Sequence, residues 1–238
     1  MGLIYKKILA RKKKNKSLLV VLIDPDKFNE ELVLLANNSN VFCFFVGGSK
    51  LNTGRIEVVV KRIKKLSKLP IVIFPGDFDQ MHKEADASLI PVLVSGRNPD
   101  YLIGKHVQWA KKIKSLTIET IPTAYILING EKKSTTQEVT NTSPLSSKVE
   151  IINTAIASEL LGYKLIYLEA GSGAKSQVNS TIITEVKKQT SVPLIVGGGI
   201  NSVERVNDII KAGADMVVIG NALEKNISLL EDIKKCFK

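Results

Sequence analysis

Short apolar runs alternate with longer amphipathic stretches along the whole chain. The runs cover residues 18–23, 41–46, 70–74, 87–93, 117–127, 164–168, 193–196 and 216–219. They are brief and rich in β-branched residues, as parallel strands buried on both faces are. Helical spacing of apolar positions fills the intervals, at 55–66, 100–113, 149–161, 180–188 and 202–212. Eight strands interleaved with helices over 238 residues predict an α/β fold. The expected architecture is a (β/α)8 TIM barrel forming one domain over residues 1–238, with a doubly wound open sheet as the alternative.

Two intervals break the pattern. Residues 75–86 are too few for a full helix and include Pro75-Gly76-Asp77. The barrel is therefore expected to be modified, its third helix missing or vestigial. Residues 129–147 are polar and rich in Ser, Thr and Asn. They read as a long loop on the C-terminal face, where barrel active sites gather.

Composition narrows the function classes. There are 34 basic and 23 acidic residues, net +11, which suits nucleic acid, an anionic membrane surface or a polyphosphate substrate. Aromatics are only 5%, too few for base-stacking platforms, so no nucleic-acid partner is expected. Cys43 and Cys236 make no disulfide framework and no metal-ligand spacing, and Cys43 reads as a small buried hydrophobe. The chain shows no secretory leader pattern and no run of about 20 apolar residues, so a cytoplasmic location is expected. The first sixteen residues carry Lys6, Lys7, Arg11, Lys12, Lys13, Lys14 and Lys16. These form either a solvated helix face or a peripheral contact with an anionic membrane.

Candidate chemistry collects at the ends of the strands. The sixth runs through Tyr167 and Leu168 into Glu169-Ala170-Gly171-Ser172-Gly173, the seventh into Gly197-Gly198-Gly199, the eighth into Gly220-Asn221. Glycines let backbone N–H groups approach an anion, and a following helix N-terminus favours negative charge. Three such ends in succession suit a phosphate, beside one carboxylate, Glu169. Ser202 and Asn221 also fit as ordinary N-caps. The first strand opens into Asp24-Pro25-Asp26-Lys27 and the second into Gly47-Gly48-Ser49. Asp24, with Ser49 across from it, suits an oxygen-liking cation such as Mg2+. The same residues also suit plain turns, with Asp26 as a helix N-cap. Phe74-Pro75-Gly76-Asp77 reads equally as a tight turn or a substrate contact. His82 and His106 belong to no metal or triad arrangement. Tyr101 and Trp109 fall near one helix face, as core or as the lining of an apolar groove.

Taken together and in this order, Asp24–Lys27, 46–49, 74–77, 167–173, 197–200 and Gly220-Asn221 resemble the geranylgeranylglyceryl phosphate synthases across nearly the whole chain. The form of 167–173 and the polar insert look like the second of that family's two broad groups. The related bacterial heptaprenylglyceryl phosphate synthases resemble the chain less well. The resemblance implies a barrel lacking its third helix, a homo-oligomer and an Mg2+-dependent prenyltransferase, a phosphoglycerol geranylgeranyltransferase of lipid biosynthesis. Its substrates would be sn-glycerol 1-phosphate and a prenyl diphosphate, geranylgeranyl diphosphate. By motif, Asp24 and Ser49 match the Mg2+ positions. Tyr167, Leu168, Glu169, Ala170, Gly171, Ser172, Gly173, Gly198, Gly199, Gly220 and Asn221 match the glycerol phosphate site, with Glu169 as the catalytic base. The groove left by the missing helix would hold the prenyl chain, with Tyr101 or Trp109 limiting its length. Two other readings compete: a phosphate-binding barrel isomerase or synthase of amino-acid biosynthesis, and a non-catalytic protein that binds anionic lipid.

Overall fold

Each apolar run folds into a strand that pairs in parallel with the next, in a computed structural model describing residues 2–171 and 174–237. The strands are β1 (Leu18–Ile23), β2 (Val41–Val46), β3 (Ile71–Ile73), β4 (Ala87–Leu93), β5 (Glu119–Leu127), β6 (Leu165–Glu169), β7 (Leu194–Gly197) and β8 (Met216–Ile219). They stand in chain order, and β8 closes on β1 through Leu18–Met216 to Val21–Ile219. The result is the TIM barrel expected, and the open sheet is ruled out because closure leaves no edge strand.

The helices packed outside follow their apolar spacing. In α3 (Ile56–Leu66), the buried residues Ile56, Val59, Val60 and Ile63 recur at helical intervals, which makes one stripe toward the strands. The other outer helices are α2 (Glu30–Ala36), α4 (Lys105–Ser115), α6 (Lys148–Leu160), α7 (Ser180–Gln189) and α8 (Val203–Lys211). Short helices α9 (Asn221–Lys225) and α10 (Leu229–Ile233) end the fold. Asn29, Ser147, Asn179 and Ser202 cap α2, α6, α7 and α8 with their side-chain oxygens, each satisfying N–H groups that a helix start leaves open.

Between β3 and β4 there is only one 3-10 turn, Phe78–Gln80. The third barrel helix is missing, as the short interval required. The interval 129–147 departs from expectation, because it contains helix α5 (Thr135–Thr140). Ser134 and Gln137 form a reciprocal capping box there, and Asn141 ends the helix at φ 49°. The box supplies local stability that an apolar stripe would otherwise provide. A single π-helical turn, Asp100–Gly104, precedes α4.

The first helix, α1 (Leu3–Lys13), lies across the N-terminal end of the barrel. Ile4 and Ile8 are buried with inward-facing Leu18, Leu165 and Met216. The Glu119 carboxylate accepts from the N–H groups of Ile4 (2.8 Å) and Tyr5 (2.9 Å), standing in for a side-chain N-cap. The basic run of the N-terminus is thus at the opposite end from the C-terminal face. Cys43 is fully buried inside the barrel. Among the described residues, no helix is long and apolar enough to cross a membrane.

Candidate active site

The C-terminal ends of the strands surround a cavity of ≈ 650 Å³, within the range of small-molecule sites. Its floor is aromatic. The Phe74 ring lies 6.0, 5.8 and 5.2 Å from those of Phe45, Tyr125 and Tyr167. These side chains pack against one another in the upper barrel beneath the cavity.

Glu169 is the last residue of β6, and it is buried. One carboxylate oxygen accepts from the Gly171 N–H at 2.8 Å. Burial pushes its pKa up to about 7, against the opposing pull of the Tyr167 hydroxyl and the Gly171 N–H. The Tyr167 hydroxyl faces the carboxylate without reaching hydrogen-bond geometry, and has no other partner among the described residues. A carboxyl poised near neutrality, at the floor of a cleft, is suited to take a proton.

Glycines hold that carboxylate in place by giving it room. A Cβ on Gly197 would stand 2.7 Å from Glu169 Oε2 and 2.5 Å from the Tyr167 hydroxyl. On Gly198 it would stand 2.4 Å from Glu169 Oε1, and the residue has φ +85°. Both positions therefore exclude any side chain. Gly198, Gly199, Gly220 and Asn221 line the cavity on this side. Arg205 from α8 donates to the Gly199 carbonyl at 2.5 Å and fixes the turn. The N-cap of α9 is Gly220, and Asn221 is the first helical residue. Asn221 therefore does not cap the helix.

Not every residue of the sixth strand end faces the cavity. Leu168 and Ala170 turn their side chains outward, into the layer between strands and helices. The Ala170 N–H donates to the Gly197 carbonyl. Neither residue lines the cavity, because strand alternation gives the inward positions to Tyr167 and Glu169. Gly171 contacts Glu169 directly, while Ser172 and Gly173 lie outside the described residues.

The opposite side of the cavity is built from β1, β2 and β3. Asp24 caps the 3-10 turn Pro25–Lys27 by accepting from the Asp26 N–H at 3.0 Å. The capping role considered for Asp26 belongs to Asp24. Asp26 instead binds the 52–54 segment, accepting from the N–H groups of Asn52 (2.9 Å), Thr53 (2.9 Å) and Gly54 (2.5 Å). Those donors hold its carboxyl well below the usual range. Asp24 lies against Gly48, where a Cβ would be 3.4 Å from its Oδ1. Both Asp24 and Ser49 line the cavity. One carboxylate and one hydroxyl are oxygen donors of the kind Mg2+ takes, while no group of three or more acid, His or Cys ligands gathers among the described residues. That ion keeps water and substrate phosphate in its remaining positions.

Several contributors carried no local signal in the sequence. Gln80, buried in the turn that replaces the third helix, donates to the Gly48 carbonyl at 2.9 Å. Its Oε1 accepts from the N–H groups of Gly76 (3.2 Å) and Gly48 (3.4 Å). Phe74-Pro75-Gly76-Asp77 is thus a turn locked to the end of β2, and all four of its residues also line the cavity. Thr136 of α5 meets Ser49, hydroxyl to hydroxyl, at 3.1 Å. Tyr125 shares the floor with Tyr167. Lys27, Lys50, Lys105 and Lys225 also line the cavity; Lys27 pairs with Glu224 at 2.9 Å and Lys105 with Asp77. Tyr101 lines the cavity and donates to the Val139 carbonyl at 3.2 Å. Trp109 does not line it, and lies under Lys112 at 4.5 Å.

Known proteins resemble this chain along its length. A synthase from Zunongwangia profunda named geranylgeranylglyceryl phosphate synthase is 45% identical over 222 residues, 91% of this chain and 95% of its own. Its namesake from Flavobacterium johnsoniae is 44% identical over 229 residues, 94% of each chain. The crystal structure of (S)-3-O-geranylgeranylglyceryl phosphate synthase from Thermoplasma acidophilum, in complex with sn-glycerol-1-phosphate, superposes with a TM-score of 0.92 at 27% identity. It covers 100% of this chain and 99% of its own. The PcrB family matches residues 10–237. With that match, and relatives of this identity and coverage, the chain belongs to the PcrB family.

Proposed function

We propose that this protein is a geranylgeranylglyceryl phosphate synthase, joining the geranylgeranyl group of its diphosphate to the C3 hydroxyl of sn-glycerol 1-phosphate. The observation that carries the reading is Glu169, buried with a pKa of about 7. It lies between a glycine-lined side and an oxygen-donor side of one cavity.

Glycerol phosphate occupies the glycine side. Gly198, Gly199, Gly220 and Asn221, which line that side, surround its phosphate, with Tyr167 bordering the glycerol; Gly171, Ser172 and Gly173 belong to the same site by motif. The diphosphate lies against Asp24 and Ser49, where these two residues would hold Mg2+. When bound, that ion neutralises charge developing on the leaving diphosphate. The prenyl C1–O bond breaks with its electron pair leaving on the diphosphate, the bond from C1 to the glycerol oxygen forms, and Glu169 takes the hydroxyl proton. The hydroxyl grows more acidic as its oxygen bonds to carbon, so a carboxylate is a sufficient base. Most of the catalysis is then positioning and a water-poor floor. The prenyl chain runs out over the outside of the barrel where the third helix is missing, past Tyr101, which limits its length. Trp109 has no part in this limit.

The protein works at a cytoplasmic location, as a homo-oligomer. The competing isomerase or synthase reading calls for an acid–base pair across the barrel. Asp24 lines the same cavity as Glu169, so residue type alone does not decide, and the match to the PcrB family and its relatives favours the prenyltransferase. The test is incubation with sn-glycerol 1-phosphate, geranylgeranyl diphosphate and Mg2+. The ether product and diphosphate should appear in equal amounts. No ether product, with turnover of a ribosyl-aminoimidazole substrate instead, would reverse the assignment.

A further inference from the structure

The segment 101–115 is the least embedded part of the outer layer. Neither α4 nor the π turn before it contains a buried residue. Ile103 is 59% exposed and Val107 68%. Ala110, Lys111 and Lys114 are exposed too and follow them at helical intervals, so the five make one continuous side. Residues 100–115 carry four lysines (105, 111, 112 and 114) against one acid, Asp100. The N-terminal end of the helix adjoins the cavity mouth, where Tyr101 and Lys105, on the opposite side from these five, line the cavity. Val139 of α5, 39% exposed, lies next to it through the Tyr101 hydrogen bond.

We propose that this side of α4 is a docking surface for an anionic lipid bilayer. A helix side with apolar residues flanked by lysines lies in the headgroup region with the apolar residues inserted. The lysines contribute attraction to anionic headgroups. Charge complementarity favours lipid over a second copy of this chain, because a two-fold contact here would set Lys111 and Lys114 against their own counterparts. The basic helix α1 is a poorer surface for this role. It covers the barrel end away from the cavity, so docking there would turn the mouth to solvent. The inference deepens the prenyltransferase reading, since a C20 diphosphate partitions into bilayers and would enter beside Tyr101. Its test does not depend on that chemistry.

Trp109 is the only tryptophan in the chain, so its emission reports on α4 alone. The experiment titrates the protein with phosphatidylcholine vesicles, with and without phosphatidylglycerol, at several salt concentrations. It reads emission and co-sedimentation together. The anionic vesicles should bind the protein, perturb the emission of the helix, and release the protein as salt rises. Ile103→Ser with Val107→Ser, and separately Lys111→Glu with Lys114→Glu, should each weaken binding about tenfold or more. Both should leave turnover in vesicle-free buffer unchanged, which also shows that they fold. Replacing Lys6, Lys7 and Arg11 by Gln should leave binding intact. Absence of binding, binding lost only in the α1 variant, or a self-association abolished by the α4 variants in place of vesicle binding, would each overturn the proposal. Loss of turnover in the wild-type protein with vesicle binding retained would count against the enzymatic reading alone.

Discussion

Glu169 and Tyr167 stand two residues apart on one strand and share one electrostatic problem. Burial favours the neutral carboxyl, and the Tyr167 hydroxyl opposes it. By linkage, the raised pKa favours folding at pH below the ordinary value of 4.5, a contribution lost as pH rises through about 7. The same shift sets an acid limb on turnover, because the base must be ionised. Tyr167→Phe removes a group that lowers the pKa, so the acid limb should move to higher pH. Comparing pH–rate profiles of variant and wild type at one substrate concentration cancels titration of the phosphate. An unmoved limb, or one moved to lower pH, would sever Tyr167 from the base. Glu169 was legible in the sequence because an acid at a strand end followed by glycines is an uncommon pattern. Tyr125 and Gln80 were not, because their importance comes largely from Phe74, Tyr167 and Gly48, each more than thirty residues away in sequence.

At the scale of elements, the strands were legible and the pieces between them less so. Parallel strands buried on both faces read as apolar runs, and β1, β2, β4 and β8 fall where the runs do. The missing third helix followed from chain length alone. Helix α5 escaped because Thr135–Thr140 has no apolar stripe, although Ser134-x-x-Gln137 is a capping-box spacing visible in the sequence. Tyr101 lines the cavity and Trp109, two turns further along α4, does not. The turn Phe78–Gln80 makes up for the absent helix by tying the ends of β2 and β3 together. Gln80→Ala leaves the Gly48 and Gly76 N–H groups and the Gly48 carbonyl without this partner, at a cost of about 1–3 kcal/mol. Steady-state kinetics should show the KM for prenyl diphosphate rising about tenfold, with the KM for glycerol phosphate within about twofold. Equal rises in both would mean that the turn supports the barrel generally, and not the diphosphate side.

The whole molecule separates stability from chemistry along the barrel axis. The N-terminal end is closed by α1, and the C-terminal end carries every cavity-lining residue proposed to act. The sequence disclosed the basic run of α1 but not its location, because only closure of the barrel fixes which end that helix covers. Ile8 is 2% exposed beneath it. Ile8→Ala should cost about 2–5 kcal/mol of stability in urea unfolding, and leave kcat per folded molecule unchanged. A fall in kcat without a fall in stability would contradict this division of the molecule. The two halves of the cavity meet at Glu169, and the most direct measurement is made there. Single-turnover formation of the ether is compared in wild type and Glu169→Gln, with calorimetric binding of sn-glycerol 1-phosphate as the control. The account predicts that ether formation slows by about a hundredfold or more while glycerol phosphate still binds. Ether formation by Glu169→Gln at close to the wild-type rate would contradict it.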